Sequence, residues 1–151
     1  MIELNVLPAN GVIKNNVFAY PVRVYYEDTD AGGIVYYANY LKFAERARTE
    51  FLRALGVCQQ ENLETEKTGF VVRSCSIEYL KSAVLDDALC VTCQISETGA
   101  ASAVVVQEIR RDDEVLATLE VKVIHMNIAT HRPAKISKDM LDKFQQFIPQ
   151  K

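Results

Sequence analysis

From Tyr20 to Glu27 the chain alternates, with Val22, Val24 and Tyr26 set against Arg23, Tyr25 and Glu27. That two-residue period predicts a strand with one buried face. Beyond Gly32-Gly33 the period lengthens. Apolar residues recur at Tyr40, Ala44, Ala47, Phe51 and Leu55, while Lys42, Glu45, Arg46, Arg48, Glu50 and Arg53 fall mostly outside that stripe. The pattern predicts one amphipathic helix over 38–55, with Asn39 as its N-cap and Gly56 as its stop. Then the two-residue period returns. Strands are expected over 70–80, 88–97, 100–110 and 114–125, with turns at Thr98-Gly99 and Arg111-Asp112-Asp113. In the last of them Val115, Ala117, Leu119, Val121 and Val123 share one face. A short helix over 137–148 follows, with Met140, Leu141, Phe144, Phe147 and Ile148 on its apolar side.

Strands joined mostly by short turns, interrupted once by a long helix, predict an α+β fold: a five-stranded antiparallel sheet with one long helix packed on it and a short C-terminal helix. Residues 1–16 read as a polar lead-in with turn signals at Pro8 to Gly11, and 17–151 as a single domain. Such a sheet has edges and part of a face left to cover, which predicts a homo-oligomer, dimer or tetramer.

Charge narrows the function classes. A net charge of −3 gives no electrostatic reason to expect nucleic-acid binding, which favours a basic face. No apolar run is long enough to span a membrane, and the N-terminus lacks the basic start and apolar stretch of a secretory signal, so the expectation is a soluble cytoplasmic protein. Cys90 and Cys93 form a nominal CxxC, but within LCVTCQI, an alternating run where residues three apart face opposite sides. They read as separate thiols rather than a redox pair. With only His125 and His131 available as imidazoles, neither a metal site nor a cofactor is expected.

The chemistry-bearing stretch is YYEDTDAGGIVYYANY, residues 25–40. Asp28-Thr29-Asp30 ahead of the glycines partly mimics a calcium loop, but Gly32 and Asn39 stand where a side-chain oxygen and a bidentate glutamate are required. Two readings remain: the aspartates cap a turn, or one of them is held ready for chemistry beside the start of a helix, whose free N–H groups can hold a developing oxyanion. No serine elbow, phosphate-binding loop or dinucleotide motif competes.

The run YPVRVYYEDTDAGGIVYYANYLKFAERARTEFLRALGV (20–57), with FVVRSCSIEYLKSAVLDDALCV (70–91) and HRPAKI (131–136), resembles the hotdog-fold acyl-CoA thioesterases of the 4-hydroxybenzoyl-CoA thioesterase family. It is most similar to their bacterial subgroup associated with the Tol-Pal envelope system. The resemblance implies a sheet wrapped around the long helix, dimers and often homotetramers, and active sites at subunit interfaces. It places the catalytic acid, nucleophile or general base, on Asp30 and the carbonyl-polarising backbone N–H on Tyr37, aided by Gly32 and Gly33. Asp28 becomes structural. Coenzyme A enters only as part of the substrate, and acyl carrier protein is a further expected partner. Tyr37 stands where the subgroup usually has histidine, and Ser82 where the family has proline.

Arg73, Lys81 and Arg132, within the matching stretches, are the candidates for holding the coenzyme A phosphates. Arg46 and Arg48 read as structural helix charges paired with Glu45 and Glu50. The expected function is hydrolysis of acyl-CoA thioesters. The alternative is a non-catalytic scaffold, linked to the cell envelope, that binds an acyl thioester or acyl carrier protein.

Overall fold

The computed structural model describes residues 2–150. In chain order the elements are β1 (Val12–Lys14), β2 (Val17–Arg23), α1 (Asn39–Ala54), α2 (Gln59–Thr65), β3 (Thr68–Tyr79), β4 (Ala88–Thr98), β5 (Ser102–Arg111), β6 (Glu114–Asn127), β7 (Arg132–Pro133) and α3 (Lys138–Gln145). All strand pairs are antiparallel, in the order β1-β2-β4-β5-β6-β3, with β7 added to β6. The five long strands expected from the alternation are present, and two short ones make the sheet seven-stranded.

The first strand is shifted towards the N-terminus. Phe18 and Val22 are buried, but the alternation fails after Val24, and Tyr26 is 83% exposed. Tyr26–Asp28 instead forms a 3-10 turn, fixed because the Asp28 carboxylate accepts the Tyr25 N–H at 2.8 Å. The polar lead-in is also corrected. Asn15 and Asn16, both at positive φ, form a two-residue turn that folds β1 back onto β2, with Lys14 opposite Val17.

α1 lies across β2, β4 and β5. Its buried residues include Tyr40, Phe43, Ala44, Ala47 and Phe51, the stripe read from the sequence with Phe43 added. Phe51 is the hub of the core: its ring packs edge-on to Phe147 at 4.8 Å and contacts Phe18 and Phe144. Truncating such a side chain to alanine costs about 3–5 kcal/mol. α3 caps this end of the core, its own start held by the Ser137 hydroxyl accepting from the Met140 N–H.

On the side of α1 away from β2, the row of β3 that faces into the fold is open. Val72 is 51% and Tyr79 43% exposed. β3 is also a terminal strand, with its outer edge unpaired among the described residues. A bulge interrupts it between Val72 and Ser74, so Arg73 is the extra residue without a ladder partner. No helix among the described residues is long and apolar enough to cross a membrane.

Candidate active site

The chain between β2 and α1 is a tight loop built on backbone bonds. Thr29 bridges Val35, Ile34 bridges Val84, and the Tyr36 N–H donates to the Asp28 carbonyl at 2.9 Å. At the loop tip the Gly33 N–H returns to the Asp30 carbonyl at 3.0 Å, and the Gly32 N–H donates to Asp30 Oδ1 at 2.8 Å. This is the aspartate turn in which a side chain reaches the amide two residues on. Gly33 is favoured there by its backbone conformation and Gly32 by the close carboxylate. Gly33 sits at φ +81°, a conformation that disfavours a side chain, and a Cβ on Gly32 would lie 3.2 Å from Asp30 Oδ1.

The two aspartates separate in environment. Asp28 is buried, with its carboxylate committed to the Tyr25 amide. Its carbonyl also accepts from Asn39 Nδ2 at 2.8 Å, so it ties the loop to the first turn of α1. Asp30 is exposed, and Oδ1 alone is held by the turn. It is the one carboxylate lining an open cleft of about 380 Å³, with Ile34, Val35, Tyr37, Tyr40, Tyr79, Leu80, Lys81 and Ser82.

α1 starts at this cleft. Asn39 is its first helical residue rather than its cap, and the cap position falls to Ala38, which offers no side-chain acceptor. Asn39 turns inward to Asp28 instead. No side chain caps the first turn, whose Asn39 and Leu41 N–H groups donate to the Tyr36 and Ala38 carbonyls. Among the described residues the Tyr37 N–H, just ahead of them, has no hydrogen-bond partner. The Tyr37 carbonyl, by contrast, accepts from the Tyr79 hydroxyl at 3.0 Å. Burial and then the adjoining Tyr37 hold the Tyr79 phenol above its ordinary pKa, which keeps it protonated as the donor. Behind them Tyr40 packs edge-on to Tyr79 at 5.4 Å, and its oxygen accepts the Ala83 N–H at 2.9 Å.

Of the three basic candidates, the structure brings only Lys81 to Asp30. Lys81 lines the cleft and pairs with Glu114 at 2.8 Å; Glu114 in turn meets Arg111, which also holds Asp87 at 2.8 Å and the Ser82 carbonyl. Arg73 is exposed at the bulge, and Arg132 is exposed on β7 beside Asn127. At about 3.3 Å per residue, Arg73 lies roughly 25 Å along β3 from Lys81, and Arg132 is further still. The reading of Arg48 is corrected: it does not pair with Glu45 but is half-buried and donates to Gln107 at 2.9 Å. Gln107, 2% exposed, also donates to the Ala44 carbonyl. Glu50 pairs with Arg53. Cys90 and Cys93 are both free, and Cys93, buried against the helix, has its thiol pushed up to about 12.

Tyr79 and Arg111 were not found by sequence reasoning. Tyr79 stands where the β3 alternation ends, and only the fold brings its hydroxyl back to the start of α1.

The model of the thioesterase-like superfamily matches residues 24–144, most of the chain and all of this cleft. The chain belongs to the thioesterase-like superfamily. It is 44% identical over 130 residues to the acyl-CoA thioesterase YbgC of Haemophilus influenzae, covering 86% of this chain and 96% of that one. It is 41% identical over 135 residues to the acyl-CoA thioester hydrolase YbgC of Escherichia coli O6:H1, covering 89% and 100%. Among solved structures, a probable thioesterase from Bartonella henselae superposes with a TM-score of 0.76 at 34% identity, covering 80% of this chain and 99% of that one. This thioesterase therefore has the expected hotdog architecture.

Proposed function

We propose that this thioesterase hydrolyses acyl-coenzyme A to a free acid and coenzyme A, with Asp30 supplying the electron pair. The observation that carries this is the placement of Asp30: the one carboxylate in the cleft, one oxygen fixed by the Gly32 amide, beside an uncapped helix start. The free carboxylate oxygen attacks the thioester carbon, giving a mixed anhydride that water cleaves, or takes the proton of the attacking water. Either way the carbonyl oxygen gains negative charge, for which the unpartnered Tyr37 N–H is the donor. The thiolate leaves and collects a proton. Coenzyme A arrives as part of the substrate.

Lys81 holds a phosphate or the pantetheine end at the mouth of the cleft. Arg73 and Arg132 serve a neighbouring subunit: in a homo-oligomer paired antiparallel through β3, the Arg132 end of one chain meets the Asp30 end of the next. The unpaired β3 edge and its open apolar row support that assembly. The test is free-thiol release from aliphatic and aromatic acyl-CoAs, with acyl carrier protein thioesters in parallel. Turnover of at least one acyl-CoA class is expected; absence of release from all of them would leave only a binding role.

A further inference from the structure

One wall of the cleft ends in a chain of four charges. Lys81 Nζ donates to Glu114 Oε2 at 2.8 Å, and Glu114 Oε1 accepts from Arg111 at 3.3 Å. Arg111 also donates to Asp87 at 2.8 Å and to the Ser82 carbonyl at 3.2 Å. Two cations against two carboxylates leave this wall without net charge. Of the four, Lys81 alone lines the cleft. The backbone beneath it is fixed independently, because the Leu80 and Lys81 N–H groups both donate to the Leu116 carbonyl and the Val84 amide donates to Asp87. The Lys81 side chain is 59% exposed, so its ammonium can turn while that backbone stays in place.

Glu114 would not be left bare by such a turn, since Arg111 still holds its other oxygen. The hydrogen bond from Lys81, and then the one from Arg111, holds its carboxyl below the ordinary glutamate value, so it is charged throughout the neutral range. A lysine is one compact charge on a flexible stem. An anion entering the cleft therefore competes with Glu114 for it. We propose that Glu114 is a specificity-determining residue: the Lys81 ammonium rests on it in the free protein and passes to a phosphate of the substrate when the cleft fills. This rests on the acyl-coenzyme A reading above and sets the strength of its phosphate contact. The phosphate is one of coenzyme A, or that of a phosphopantetheine arm on a carrier protein. A pantetheine thioester without phosphate has no charge to draw Lys81 away. Glu114 thus weakens the binding of phosphate-bearing ligands, and it does so through Lys81 alone.

The test is binding of coenzyme A, phosphopantetheine and pantetheine to the full chain by calorimetry, with thiol release from their acyl thioesters measured in parallel. Glu114→Gln keeps an acceptor for Arg111 and removes the charge that competes for Lys81. It should tighten coenzyme A binding by about two- to fivefold, the strength of an exposed ion pair, and raise the ratio of coenzyme A to pantetheine affinity by the same factor. Glu114→Ala should shift that ratio in the same direction, and in a Lys81→Met background neither substitution should shift it. A gain shared by phosphopantetheine assigns the contact to the phosphate next to the pantetheine, and a gain confined to coenzyme A assigns it to the nucleotide end; both support the exchange. Coenzyme A binding that is unchanged or weaker in Glu114→Gln, an equal gain for pantetheine, or a gain that survives Lys81→Met would each overturn it while leaving the hydrolase reading intact. Tighter coenzyme A binding with no thiol released from any acyl thioester would support the exchange and overturn the hydrolase reading instead.

Discussion

Replacing Asp30 with asparagine removes the negative charge and basicity while preserving the turn. The structure fixes how little else should change. Asp30 is exposed, and its one described side-chain bond is Oδ1 accepting from the Gly32 amide at 2.8 Å. An asparagine carbonyl oxygen can accept the same N–H, so folding stability should move by no more than about 0.5 kcal/mol. The reaction has no such substitute. An amide is neither a general base nor a nucleophile, and losing that role costs at least about a hundredfold in kcat, or about 2.7 kcal/mol in the barrier. KM should change little, because the other side chains that line the cleft, Tyr37, Leu80 and Lys81 among them, are left in place. Asp28→Asn should show the opposite balance, since its carboxylate caps the Tyr25 amide and is buried: a lower melting temperature and a smaller loss of kcat. The assay is thiol release at saturating acyl-CoA, with thermal unfolding on the same preparations. An Asp30→Asn protein that melts like wild type and keeps its kcat within tenfold would refute the assignment.

Tyr37→Phe should retain activity within about tenfold, because the proposed oxyanion donor is the backbone N–H and substitution leaves it in place; a folded but inactive variant in steady-state kinetics would make the hydroxyl catalytic. Tyr79→Phe removes the hydroxyl that holds the Tyr37 carbonyl, so kcat should fall several-fold with KM unchanged, and equal changes in both would point to substrate binding instead. Burial alone would raise the Asp87 pKa, but the Val84 amide and Arg111 hold it below the ordinary value. Its stabilising effect is therefore complete above the unfolded pKa of about 3.9 and lost as pH falls through the folded one. Asp87→Asn should melt lower than wild type at pH 7, with the gap closing below about pH 4; a gap independent of pH would remove the ion pair as its cause.

The fold was legible wherever one face of an element is buried. The α1 stripe and the five long strands could be read because period and burial coincide there. The errors lie where side-chain-to-backbone bonds decide the local structure. The Asp28 carboxylate ends the first strand early, and Asn39 gives up a capping role to reach the Asp28 carbonyl. β1 was missed although Asn15-Asn16 is a hairpin signal, because Val12 and Ile13 are exposed and give no alternation. α2, with no buried residue, carries no periodic signal at all. The local turn at Asp30 was legible from its glycines. What the motif could not give was the tyrosine arriving from β3, or which cations share the cleft.

The β1 hairpin and the open β3 strand make the two rims of the sheet unequal. β1 is three residues long, all exposed, and ends in Lys14, so it offers another chain little backbone to pair with. β3 presents twelve residues, about 40 Å of strand. Among the described residues, joining through that rim leaves the product's outer edges to the short β1 strands and to Tyr20–Arg23 of β2, which β1 does not cover and where Pro21 has no N–H to give. Strand-to-strand growth of this kind has a valence of one: it terminates after a single addition, where a sheet with two long bare rims could extend into a fibre.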